Sequence, residues 1–141
     1  MLLTVGYQRR ELAELVALLT DHGVEVLVDV RETPRSRKPG FSGRRLAEAL
    51  TDAGIEYRHE PSLGVPQEER DAFRTGEPAA HHAYLRRVEE AGDLVAELVA
   101  TARRRHVALL CLERDEADCH RGLLASRMRE LDPSVGGHAI E

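Results

Sequence analysis

Four times along this chain a short run of aliphatic and β-branched residues is followed by a stretch whose apolar residues recur at helical spacing. That alternation restricts the fold more than any other feature. The runs are Leu2 to Val5, Val24 to Val30, Ile55 to His59 and Val107 to Leu112. After the first, Leu12, Leu15, Val16 and Leu19 share a helix face, and Gly23 stands where a helix C-terminus favours positive φ. After the second, beyond a proline-broken loop, Ser42 is a helix N-cap ahead of Leu46, Ala49, Leu50 and Ala53, closed by Gly54. The third is followed by a loop over Glu60 to Pro66, a short polar helix over Gln67 to Arg74, and a long helical region from His81 to Arg105. Gly92 bends or splits that region. After the fourth, Cys119-His120-Arg121 opens a helix with Leu123, Leu124 and Met128 inward; Pro133 ends it, and His138 to Ile140 reads as an edge strand.

Strands separated by helices need crossover connections, so they run parallel with helices on both faces. The expected fold is α/β: a three-layer α/β/α sandwich, Rossmann-like in kind, around a mostly parallel sheet of four to five strands. With 141 residues the chain has room for one core, and residues 1–141 read as a single domain. Strand order and oligomeric state are not legible. The longest apolar run is six residues and no charged leader precedes one, so no membrane segment and a cytoplasmic location are expected.

Parallel α/β sheets bind ligands beyond the carboxyl ends of their strands. Here those ends carry Tyr7, then Asp29 and Arg31, then His59, then Cys111, Glu113 and Asp115, with Cys119-His120-Arg121 at the following helix start. A thiol at a helix N-terminus beside an imidazole and a guanidinium is placed for thiolate stabilisation. The net charge of −5 conceals a basic segment: residues 31–45 sum to +5, so the remainder sums to −10. Arg31, Arg35 and Arg37 on that loop, with Arg121, are the expected anion-binding residues, and Phe41 either stacks on a base or pins the loop to the body. Two cysteines make no disulfide framework, and free thiols are expected in a reducing compartment unless the two form a redox pair.

Neither a GxGxxG nor a GxxxxGK[ST] is present, so no cofactor is expected. Cys111, Cys119 and His120 have borderline metal-ligand chemistry but no fourth ligand at diagnostic spacing, so no metal is expected either. The expected catalytic residues are Cys119 as nucleophile or His120 as acid/base, with Asp29 or Glu113 orienting the imidazole. Tyr7, His59, Cys111 and Asp115 are further site candidates.

Thr4-Val5-Gly6-Tyr7, Val28-Asp29-Val30-Arg31, Pro34 through Ser42, Tyr57-Arg58-His59, Leu63-Gly64, Cys111-Leu112-Glu113 and Cys119-His120-Arg121 resemble the signatures of the domain of unknown function 488 family. The resemblance implies a compact α/β domain and no particular reaction. Leu27 to Glu32 is also similar to the early strand of rhodanese-like sulfurtransferases, and Cys111 ends a strand as their nucleophile does. The acidic residues after Cys111 lack that family's glycine or serine cradle. The expected function is an enzyme, a thiol- or histidine-dependent hydrolase or transferase, acting on a phosphate-bearing, nucleotide or nucleic-acid substrate. The alternatives are a nucleotide or nucleic-acid binding module without catalysis, and sulfur transfer through Cys111.

Overall fold

Val26, Leu27 and Val28 are all fully buried, which a strand allows only when both faces of its sheet are covered. In the computed structural model, which describes residues 1–111 and 119–141, five strands form one sheet. They are β1 (Leu2–Gly6), β2 (Val26–Asp29), β3 (Glu56–His59), β4 (Val107–Cys111) and β5 (Ala139–Ile140). Their order is β3-β2-β4-β1-β5 and every pairing is parallel. Six α-helices cover the sheet among the described residues: α1 (Leu12–Asp21), α2 (Gly43–Asp52), α3 (Arg70–Arg74), α4 (Pro78–Glu90), α5 (Gly92–Arg104) and α6 (His120–Leu131). The alternating pattern and the three-layer α/β/α arrangement are thus both present.

The period of two along β4 sorts the core. Ala108 and Leu110 pack with Leu15 and Leu19 of α1 and Leu46 and Leu50 of α2. Val107, Leu109 and Cys111 pack on the other face with residues of α3 to α6, including Phe73, Tyr84, Leu98 and Leu124. Cys111 therefore faces α6, whose N-cap is Cys119.

Order and connectivity together place the site. From β1 and β2 the chain travels toward the β3 edge through α1 and α2; from β3 and β4 it travels back toward the β5 edge. Opposite travel with one hand of crossover puts the two helix sets on opposite faces. The loops leaving β2 and β4 consequently diverge, and a crevice opens at the carboxyl ends of these central strands.

The long helical region breaks at Ala91, which caps the end of α4 and the start of α5. It begins three residues before the His81 expected from sequence, because Pro78 supplies the fixed φ of a first helical turn. Strands β2 and β3 start later than their apolar runs: Val24 and Ile55 are buried but lie in the turns before the ladder. Leu112, expected to end the fourth strand, lies outside the described residues. No described helix is long and apolar enough to cross a membrane.

Candidate functional site

Asp29 and Arg31 are two residues apart at the end of β2, so their side chains leave on the same side. Arg31 Nε and Nη2 donate to Asp29 Oδ1 and Oδ2 at 2.8 and 2.6 Å, a bidentate pair, and the Arg31 amide donates to Oδ1 at 3.1 Å. Tyr57 on β3 donates its hydroxyl to Oδ2 at 2.6 Å. Arg31 Nη1 reaches the Tyr7 hydroxyl and the Phe41 carbonyl at 3.3 and 2.7 Å. Burial alone would weaken the proton's hold on Arg31, but Asp29's hydrogen bonds and charge outweigh it and raise the guanidinium pKa. Burial and the same carboxylate raise Tyr57.

This cluster holds the strand end whose carbonyls organise the histidines. Val30 O accepts from His120 Nε2 at 2.8 Å, and Arg31 O accepts from His59 Nε2 at 2.7 Å. A carbonyl only accepts, so His120 carries its proton on Nε2 and presents the Nδ1 lone pair to Cys119 Sγ, 3.5 Å away. His120 is packed edge-on against Tyr84 and Phe73, with centroids at 5.3 and 6.3 Å. Burial first, then the charges of Arg121 and Arg70, push its pKa down to about 4 against the opposing Val30 bond. The ring is neutral at pH 7.

Cys111 and Cys119 are joined as a disulfide, the exception that the expectation of free thiols left open for a redox pair. Folding brings the end of β4 against the N-cap of α6 and so sets the two sulfurs side by side. Arg121 is fully buried and donates from Nη1 to Cys111 Sγ at 3.1 Å.

The two cysteines and His120, with Tyr7, form the floor of a pocket of about 120 Å³ that has Arg35, Arg70 and Arg74 among its walls. Among the described residues, Glu32 is the one acidic lining residue against four arginines, of which Arg31 is already neutralised by Asp29. Arg70 Nε donates to Val65 O at 3.3 Å, and Arg74 stands 3.8 Å from the exposed Asp71. The described lining therefore carries more positive than negative charge beside the sulfurs and the imidazole.

Folding gathers Tyr7, Arg31, Arg35, Cys111, Cys119 and His120 at this pocket. Arg37, Arg121, Asp29 and His59 are not lining residues; Arg37 is exposed on the loop, and the other three act from behind or beside the floor. Asp29 fills its acceptor positions with Arg31 and Tyr57, and the Val30 carbonyl orients the imidazole in its place. Of the two readings of Phe41, the structure has the loop-pinning one: the ring is fully buried against Tyr7 with centroids 4.6 Å apart, so it fastens the loop to the sheet and does not stack on a base. Glu113 and Asp115 lie outside the described residues. Arg70, Phe73, Arg74 and Tyr57 carried no expectation. Their signals were the i, i+4 pair Arg70 and Arg74 on one helix face and a tyrosine one strand from Asp29.

The buried neutral imidazole has a thermodynamic consequence. Its folded-state pKa lies below the ordinary 6.5, so the unfolded chain binds the proton first as pH falls. The stability associated with the neutral ring is complete above about pH 6.5 and is lost progressively down to about pH 4, on the order of 3 kcal/mol. Urea unfolding of the oxidised protein at pH 7 and pH 4.5 should show a larger loss for the native chain than for His120→Gln. Equal losses would place the proton uptake elsewhere.

Residues 11–128 match the family described as Domain of unknown function DUF488. Among curated proteins, none matches with significance. A solved structure similar to this one is a DUF442 protein from Shewanella putrefaciens CN-32, named as a candidate phosphatase, with 16% identity and a TM-score of 0.47. The similarity covers 90% of this chain and 62% of that one, so this chain spans less than two thirds of its length. Matched over residues 11–128, which take in β2 to β4 and the Cys-His-Arg helix start, the chain belongs to the DUF488 family.

Proposed function

We propose that this protein is an enzyme that, with its cysteines reduced, transfers or hydrolyses a group on a phosphate-bearing or otherwise anionic substrate. One observation carries the reading: a single pocket has both sulfurs and the His120 imidazole on its floor and Arg35, Arg70 and Arg74 in its walls. The arginines hold the anion. Cys119, at the α6 N-terminus, attacks the electrophilic centre, and His120 Nδ1 takes the thiol proton and returns it to the leaving group. The Val30 carbonyl positions the imidazole from behind, Asp29 holds Arg31 and so the strand end, Tyr7 lines the pocket, and hydrolysis of the covalent intermediate regenerates the thiol. Sulfur transfer through Cys111 is a second reading, favoured by the Arg121 guanidinium 3.1 Å from its sulfur, which stabilises a thiolate there.

Alkylation of the reduced protein in the presence of chelator, followed by mass spectrometry at each cysteine, separates these readings. Cys119 should react first, and inorganic phosphate, nucleotides or short oligonucleotides should slow it several-fold. Arg70→Gln should weaken that protection. Preferential reaction of Cys111 would favour sulfur transfer. Inert cysteines on a protein that still binds anions would leave a binding module.

A further inference from the structure

The same floor has the ligand chemistry of a metal centre. Cys111 Sγ, Cys119 Sγ and His120 Nδ1 all lie within 4.8 Å of one another, and all three residues line the pocket. We propose that, once reduced, they bind a divalent cation of the zinc class in a Cys2His site whose fourth position opens into the arginine-walled pocket. This goes beyond the enzymatic reading above, because a cation on Cys119 occupies the sulfur that would attack.

Zinc–sulfur and zinc–nitrogen bonds of roughly 2.3 and 2.0 Å place tetrahedral S and N ligands roughly 3.5 Å apart. Cys119 Sγ and His120 Nδ1 are 3.5 Å apart. The Cα atoms of Cys111 and Cys119 are 7.2 Å apart. Side-chain rotation after reduction can therefore take the sulfurs to the roughly 3.8 Å expected of two thiolates on one zinc.

The surrounding hydrogen bonds are those a metal centre needs. His120 donates its other ring nitrogen to Val30 O at 2.8 Å, which fixes the ligating tautomer, and Arg121 Nη1 donates to Cys111 Sγ at 3.1 Å. Among the described residues, no fourth His, Cys or carboxylate joins the cluster. Structural zinc sites are closed by four, whereas three ligands and an open position are the pattern of an exchangeable or catalytic centre. Arg35, Arg70 and Arg74 line the same pocket as the three ligands, so water or an anion held there would complete the shell. The balance is simple: an external thiol or phosphine reductant opens the disulfide to two thiols, and M²⁺ displaces about two protons as the thiolates coordinate.

Cobalt(II) is the probe. The full chain, reduced and freed of phosphine, should bind one equivalent with a thiolate-to-cobalt charge-transfer band and tetrahedral d–d bands. Zinc should displace it, and the oxidised chain should show neither band. Cys119→Ser and His120→Gln should each weaken binding at least tenfold. Absence of a thiolate band in the reduced native chain, which needs no variant to fold, overturns the proposal. So does a band of unchanged affinity in Cys119→Ser. Because the alkylation experiment is run in chelator, the enzymatic reading can fail while cobalt binds, and the reverse.

Discussion

Asp29→Ala is expected to cost roughly 3–5 kcal/mol of stability, the range for removing one partner of a buried ion pair. Asp29 is fully buried and Arg31 is 6% exposed, so water cannot replace the lost carboxylate. The substitution strands the Arg31 guanidinium, the Tyr57 hydroxyl and the Arg31 amide, which all donate to it now. The cause can be isolated with a double variant: Asp29→Ala combined with Arg31→Met removes both charges and should recover part of the loss. Urea unfolding midpoints measure this. Additive effects of the two substitutions would mean that the pair is not what stabilises the strand end. A local consequence should accompany the global one. The Val30 carbonyl sits between the two partners in sequence and holds His120 Nε2, so the His120 ring NMR signal should broaden or shift at urea concentrations where the variant remains folded.

The Asp29–Arg31 pair was open to sequence reasoning because an i, i+2 spacing on a strand fixes a common side whatever surrounds it. The four strands and their helices were legible for the same reason: each is specified by a local period. Their order was not, because β2 pairs with β4 through residues about eighty positions apart, such as Val26 and Val107. Neighbour relations of that kind depend on which faces the crossovers cover. The pocket walls fall between these cases. Arg70 and Arg74 belong to a five-residue helix too short to stand by its own propensity. It is placed by Phe73, which packs against Tyr84, His81 and His120. Phe41 failed as an exposed stacking residue because a basic flank says nothing about an aromatic's own burial. Tyr7, far away in the chain, supplies its partner.

Gly64→Ala is the substitution expected to disturb the site most without touching an ionisable group. Gly64 has φ −91°, a conformation any residue adopts, so backbone preference is not at issue. Space is: a Cβ there would lie 2.3 Å from the Glu32 amide nitrogen and 2.7 Å from its Cα. Both are backbone atoms, so no rotamer change relieves the clash, and the loops after β2 and β3 must move apart. The expected cost is at or above the upper end of the roughly 1–3 kcal/mol of ordinary overpacking. Gly54→Ala is the control. Gly54 has φ +77°, and a Cβ added there would meet nothing within 4 Å, so that substitution should cost only the backbone term, about 1–2 kcal/mol. The larger loss for Gly64→Ala, read by urea unfolding, would establish contact and not conformation as the reason glycine is needed. Separation of the loops also carries Glu32 and Thr33 away from the wall formed by Val65 and Arg70, so anion protection of Cys119 should fall in Gly64→Ala and persist in Gly54→Ala. Equal protection in the two would mean that the β2 loop does not shape the anion's seat, leaving that task to α3 alone.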